Sequence, residues 1–456
     1  MKKLAPWFML IALFSFSFAA FAQGKAGDAV PRNALAGTHP IHANNSANAH
    51  KNGNIPTPHG FPLGIDTITN FTNHFESQGV YFDGSAHHIW EYSMVGNPPE
   101  KGGTTVFNAP IVPVSLDLRD VNGNPRFVKQ NPDGSVSNCA NSTDPGCVRL
   151  FSDVTSFIQP FVNGPVFNGL STYSSSPIPT QITDAVQRAE FGNHARADWH
   201  TLLSANVKAP ETMVLNQVVN SRGVPTYQFA LNSDGSCCFF VLISEGTFNR
   251  ELFPQTTFPD ASTIIGQAEV NGQITTKDIS TFLFPNAYLF AGSLNNCCVL
   301  GFHTIDFEPG NAPNLPANGN LERFYILNYS SWISPGIFGG GFQDVTANSH
   351  EIAETFNDPF VGVDGIHNIT PFWLNPAGQC QDLMEDGDVI EDLEAFGSVT
   401  FPVTVNNFTY HPQNEALLPW FEFQQNSSAI DNAYSYPNEA ILQHLSPPQP
   451  LNCGGQ

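Results

Sequence analysis

Apolar side chains in this chain recur mostly in short runs of β type, separated by Gly, Pro and Asn. The runs over 104–118, 211–219, 227–231, 237–244, 279–290, 297–307 and 323–329 predict strands. Helical spacing is rarer. It predicts helices over 181–203 and 344–357, and a third over 428–445 that Pro437 interrupts. Strands that outnumber a few helices predict an α+β fold built on a mixed or antiparallel sheet. Residues 61–230 are the expected N-terminal α+β part and 231–456 the C-terminal part, and no repeat of fixed period is visible.

Two stretches at the start depart from this pattern. Lys2 and Lys3 precede an apolar run over 7–21, and Ala20-Phe21-Ala22 stands directly before Gln23. That order predicts a signal peptide over 1–22 and a mature chain exported to a secreted or periplasmic location. A membrane anchor would need about 20 unbroken apolar residues flanked by charge on both sides. Residues 23–60 are mostly Ala, Asn, Gly, His and Pro, too poor in large apolar side chains to fold alone, and are expected to be a disordered lead-in. No later run is long and apolar enough to span a bilayer.

The formal charge is −23, and removal of Lys2 and Lys3 takes it to −23 − 2 = −25. Nucleic acid and anionic lipid are thereby excluded as expected partners, because both require clustered Lys and Arg. Charged residues are only 12% of the chain, whereas Phe occupies 38 positions, so material for a large core is ample. Eight cysteines in an exported chain predict disulfides. Cys139 and Cys147 should close a local loop. The vicinal pairs Cys237-Cys238 and Cys297-Cys298 lie on strand-like runs that could be neighbours and cross-linked, which leaves Cys380 for Cys453. Zinc knuckles are not indicated, since no Cys-x2-Cys spacing occurs.

Chemistry concentrates in Ser349-His350-Glu351-Ile352-Ala353-Glu354, within the helix predicted over 344–357. His350 and Glu354 are four apart and project from one face. Two ligands at that spacing, with a Glu directly after the first, match the geometry of helical zinc hydrolases. In that reading His350 and Glu354 bind zinc, Glu351 is the general base, and Asp382 in Gln381-Asp382-Leu383 is the third ligand. The competing reading is an ordinary amphipathic helix whose His and Glu residues face water. His303, on a strand, is either a satisfied strand-end histidine or a cleft residue that adds a metal contact. The run Glu385-Asp386-Gly387-Asp388-Val389-Ile390-Glu391-Asp392 is acidic, but Met384 and Leu393 fall where an EF-hand loop counted from Asp382 needs oxygen ligands. A solvated acidic loop is therefore expected there.

The order Gly301-Phe302-His303-Thr304, Ser349-His350-Glu351-Ile352-Ala353-Glu354, Asn357-Asp358-Pro359, Trp373 and Asp382-Leu383 resembles the EXORDIUM or phosphate-induced protein group and its bacterial relatives. The resemblance covers roughly residues 285–425. It implies a zinc-peptidase-like core in the C-terminal half, a meeting of His350, Glu351, Glu354 and Asp382 in space, and Trp373 as a possible cleft residue. Gln379 and Met384 stand where that group carries Glu and Cys.

Together these features predict a secreted zinc-dependent, peptidase-like hydrolase acting on a peptide or cell-surface polymer. The alternative is a non-catalytic extracytoplasmic protein on the same fold that binds glycan or peptide.

Overall fold

The computed structural model describes residues 28–36, 38, 64–77, 88–220, 223–256, 258–339, 341–361, 373–374, 380–381, 384–393, 399–422 and 424–443. Eight strands form one sheet: β1 (Ile65–Asp66), β2 (Thr104–Arg119), β3 (Phe151–Ser152), β4 (His200–Val207), β5 (Glu211–Asn216), β6 (Ile279–Pro285), β7 (Gly301–Glu308) and β8 (Glu322–Trp332). The main path is β1-β8-β6-β2-β4. β5 and β3 pair along the second half of β2, and β7 pairs along the free side of β8. Most of these ladders are parallel, with only β7 on β8 and β3 on β2 antiparallel. The fold is therefore mixed α+β with a mostly parallel central sheet, and the small sheets around it are largely antiparallel.

A parallel sheet covered on both faces needs strands that are apolar throughout, and β6 and β8 are buried along nearly their whole length. Their side chains alternate between two cores. Phe324 and Ile326 join Ile305 on one face, while Tyr325, Leu327 and Tyr329 join Phe302 on the other. Strands from both expected halves of the chain meet in this one sheet, so the boundary near residue 230 does not separate two cores.

Several expected elements end earlier than their spacing suggests. The run over 279–290 is two strands in different sheets, because Asn286 turns the chain at φ 47°. The helix expected over 181–203 stops as α1 (Ile182–Phe191) at Gly192, whose φ is 48°, and the rest becomes a short 3-10 turn and β4. Among the described residues of the run expected over 428–445 there is no α-helix: Ile430–Asn432 is a 3-10 turn and Ser435–Tyr436 pairs with Glu415–Ala416. The helix expected over 344–357 is present as α2 (Thr346–Asn357), and the acidic run expected to be a loop is α3 (Asp386–Leu393). No described helix is long and apolar enough to cross a membrane.

Part of the expected lead-in is packed. Asp28 is buried against the Arg126 guanidinium, Ala29 bridges to Phe229, and Leu35 joins a core cluster. A buried Asp–Arg pair and one anchoring Leu offset what the polar composition of this stretch cannot supply by itself.

Cys139 and Cys147 are bonded as expected. The vicinal pairs are corrected, since Cys237 bonds Cys238 and Cys297 bonds Cys298. Strand Ala287–Phe290 lies between Cys237–Ser244 and Cys297–Val299 in a four-stranded sheet. Two strand spacings of about 4.8 Å already separate these strands by about 9.6 Å, beyond the ~7 Å reach of a disulfide, and the register sets Cys297 level with Ser244, at the far end of the strand from Cys237. Cys453 and Asp382 lie outside the described residues.

Burial also sets a pH response away from the acidic helix. Glu422, after the short helix Leu418–Phe421, is only 8% exposed, and burial pushes its carboxyl up to about 7 despite a hydrogen bond from Gln424. A raised folded-state value favours folding below the ordinary value of 4.5, and this contribution is lost as pH rises through about 7. Glu422→Gln is expected to gain about 3 kcal/mol over the wild type near pH 8 and almost nothing near pH 4. Denaturant melts at the two pH values measure this, and equal gains at both would contradict it.

Candidate metal centre

Helix α2 is buried on every side. Ile352 and Phe356 face the core shared with Ile305 of β7, and the opposite side turns toward α3. The expectation of an amphipathic helix with His and Glu in water therefore fails. His350 is 7% exposed, Glu351 4% and Glu354 1%.

β7 brings His303 under this helix. Gly301, His303 and Ile305 alternate onto the α2 side of the sheet, and His303 is 1% exposed. Gly301 is needed for the approach, since a Cβ there would lie 2.6 Å from Glu351 Oε1. From the other side α3 brings Asp388, with Glu385 immediately before its first turn. Gly387 has the same role as Gly301, because a Cβ there would lie 2.5 Å from His350 Nδ1. The helices are bound together by Asn357, whose amide donates to Glu190 of α1 at 2.6 Å and to Asp386 of α3 at 3.0 Å. Gln413 adds a link, its backbone N–H donating to Ser349 Oγ and its side chain to the Gly387 carbonyl, both at 2.8 Å.

Around His350, Nε2 lies 3.1 Å from Glu354 Oε1 and 3.4 Å from Asp388 Oδ1, while Nδ1 lies 3.4 Å from Glu391 Oε1. Around His303, Nδ1 lies 3.3 Å from Glu354 Oε2, 3.7 Å from Glu351 Oε2 and 3.8 Å from Glu385 Oε2. The two oxygens of Glu354 thus face different imidazoles. So do those of Glu351, whose Oε1 is 3.9 Å from His350 Nε2.

These groups could hold a metal ion. Donors bonded at about 2.1 Å in a tetrahedron are about 3.4 Å from one another, and the separations above bracket that value. Donor atoms of His303, Glu351 and Glu354 lie within 4.8 Å of one another, as do those of His350, Glu354 and Asp388. Both ring nitrogens of His303 and Oε2 of Glu351 are buried without a hydrogen-bond partner among the described residues. Orphaned donors and acceptors of this kind are costly unless something else satisfies them. The described contacts bring no Lys or Arg to Glu351 or Glu354.

The electrostatics agree. Burial alone would pull both imidazoles down, but the carboxylates around them outweigh it and push His303 and His350 well above their ordinary range. Burial works against ionising Glu354 too, yet His350 and His303 hold it well below the usual carboxylate range. Burial pushes Glu351 up to about 7, against the pull of His350 and His303. Glu385 rises further, through burial and then the charge of Glu354.

Of the residues singled out from sequence, His350, Glu351, Glu354 and His303 are brought together here. Trp373 lies in a two-residue strand whose backbone pairs with Gln381. Glu385 and Asp388 were missed as site residues because their run has the composition of a solvated loop. The signal that could have found them is Val389-Ile390, an apolar pair that forces one side of the run inward. A third buried group, Glu269, Asp306 and Glu308, contains no imidazole.

No protein-family model matches the chain, and no curated protein or solved structure is significantly similar to it.

Proposed function

We propose that this chain is a secreted metal-dependent hydrolase of peptidase-like type, whose cation is held by His350, Glu354 and Asp388. The observation that carries the reading is the convergence of His350 Nε2, Glu354 Oε1 and Asp388 Oδ1 in the protein interior. Asp388 provides the carboxylate that sequence reasoning sought from Asp382. A divalent ion such as zinc, bound there, acidifies a coordinated water and polarises a carbonyl.

The protein's own groups do the rest. Glu391, on Nδ1 of His350, orients the ring and keeps Nε2 turned to the cation position. Glu351 Oε1, on the same side of that ring, accepts a proton from the attacking water. A peptide or cell-surface polymer is the substrate class that fits an exported, strongly acidic chain. The motif likeness to the EXORDIUM group supports the choice of α2 as the site helix and adds nothing on substrate.

A second reading is a non-catalytic binding protein whose cation is structural. The burial of the cluster favours it, because structural sites are closed by protein ligands whereas catalytic ones keep an open position. Assays of the purified mature protein on a panel of peptides and esters separate the two. Glu351→Gln is expected to lower cleavage by about 10²-fold or more while the cation at His350 and Glu354 stays bound. Cleavage that survives both chelation and Glu351→Gln would remove the metal-dependent mechanism and the role of Glu351 as base. Stoichiometric cation with no cleavage of any panel member would favour the structural one.

A further inference from the structure

We propose that the cluster is a two-cation centre, in which a second divalent ion sits between His303, Glu351 and Glu354, and Glu354 bridges it to the ion held by His350 and Asp388. The inference rests on the metal reading above but not on catalysis. Its first support is the division of Glu354 itself, with Oε2 3.3 Å from His303 Nδ1 and Oε1 3.1 Å from His350 Nε2. A carboxylate that serves one cation turns both oxygens, or one, to the same place. A carboxylate with an imidazole beyond each oxygen has the geometry of a bridge, which holds two ions about 3.5–4 Å apart.

The second support is the state of the His303 side. His303 is 1% exposed, and neither ring nitrogen has a hydrogen-bond partner among the described residues. Oε2 of Glu351, aimed at the same point, is also buried and unsatisfied. A cation held by His350, Glu354 and Asp388 does nothing for these atoms. Nδ1, the ring nitrogen beside these carboxylates, makes no hydrogen bond to any of them despite its closeness. A cation needs no N–H direction, and the donor separations of 3.3 and 3.7 Å fit the edge of its coordination shell.

Glu351 keeps its proton-accepting Oε1 toward His350 and is anchored to the second ion through Oε2.

Mn(II) is a suitable probe, because it binds such nitrogen and oxygen donors and two bridged ions couple magnetically. Full-length mature protein, stripped by chelator and reloaded with Mn(II), is expected to bind two equivalents and to show an exchange-coupled paramagnetic resonance spectrum. His303→Ala should bind one equivalent with the spectrum of an isolated ion. His303→Gln, which keeps the bulk of the side chain, should behave the same way if the Ala variant fails to fold. Wild-type protein that binds a single uncoupled equivalent, unchanged by substitution of His303, would overturn the second site and leave the one-cation hydrolase reading intact. Wild-type protein that binds no Mn(II) or zinc would overturn both.

Discussion

Glu354→Ala is expected to free the protein of bound cation and to lower hydrolysis by about 10³-fold, the several kcal/mol that a Lewis acid contributes to the transition state. The two shortest described imidazole–carboxylate contacts in the cluster are both to this side chain. It faces His303 and His350 within 3.3 Å, and its Oε1 also accepts the Asp388 backbone N–H at 3.4 Å. Removing it deletes a ligand from either cation position and opens a small cavity under α3. The cavity has a stability cost of its own, so Glu354→Gln, which keeps the volume, should accompany it. Both variants should lose metal on gel filtration, measured by elemental analysis of the protein peak. Glu190→Gln is the control. Glu190 is also buried and tied to α2 through Asn357, yet it is not among the groups facing the imidazoles. Full metal content in both Glu354 variants, with the Glu190 variant indistinguishable from them, would sink the site assignment.

Stripping the cation should destabilise the folded wild type by about 4 kcal/mol when the free ion was present at about 1,000 times its dissociation constant. Linkage requires this if the ion binds the folded chain and not the unfolded one. His303, the α2 residues and Asp388 are brought together only when β7, α2 and α3 dock, so the unfolded chain has no such site. Removal also leaves Glu351 and Glu354 side by side across the two imidazoles without the ion that offset their charge. Guanidinium melts with and without chelator read the difference, and Glu354→Ala should be insensitive to chelator. A wild-type midpoint that does not move, at a chelator concentration that removes all metal, would show that no cation contributes to the fold.

Much of the site was legible before any folding was considered. The i, i+4 spacing of His350 and Glu354 fixes their common face once α2 is a helix, and Glu351 follows by adjacency. Asp388 and Glu385 were not legible, because acidic side chains are almost always solvated and nothing local says that a neighbouring helix will cover them. His303 was ambiguous for a related reason. A strand residue has two faces to choose from, and only the register of β7 on β8 turned it toward α2.

The same division runs through the fold. Sequence by itself determined the strand-rich α+β class, the α2 helix, the local Cys139–Cys147 loop and the concentration of chemistry near His350, because each depends on short-range periodicity or spacing. Tertiary structure alone decided that the central sheet is mostly parallel, that the vicinal cysteines pair within themselves, and that α3 is buried. Those outcomes depend on which distant segments become neighbours: an intervening strand keeps the cysteine pairs too far apart to cross-link, and packing of α3 against α2 turns an acidic run inward where its charge must be met by an imidazole or a cation.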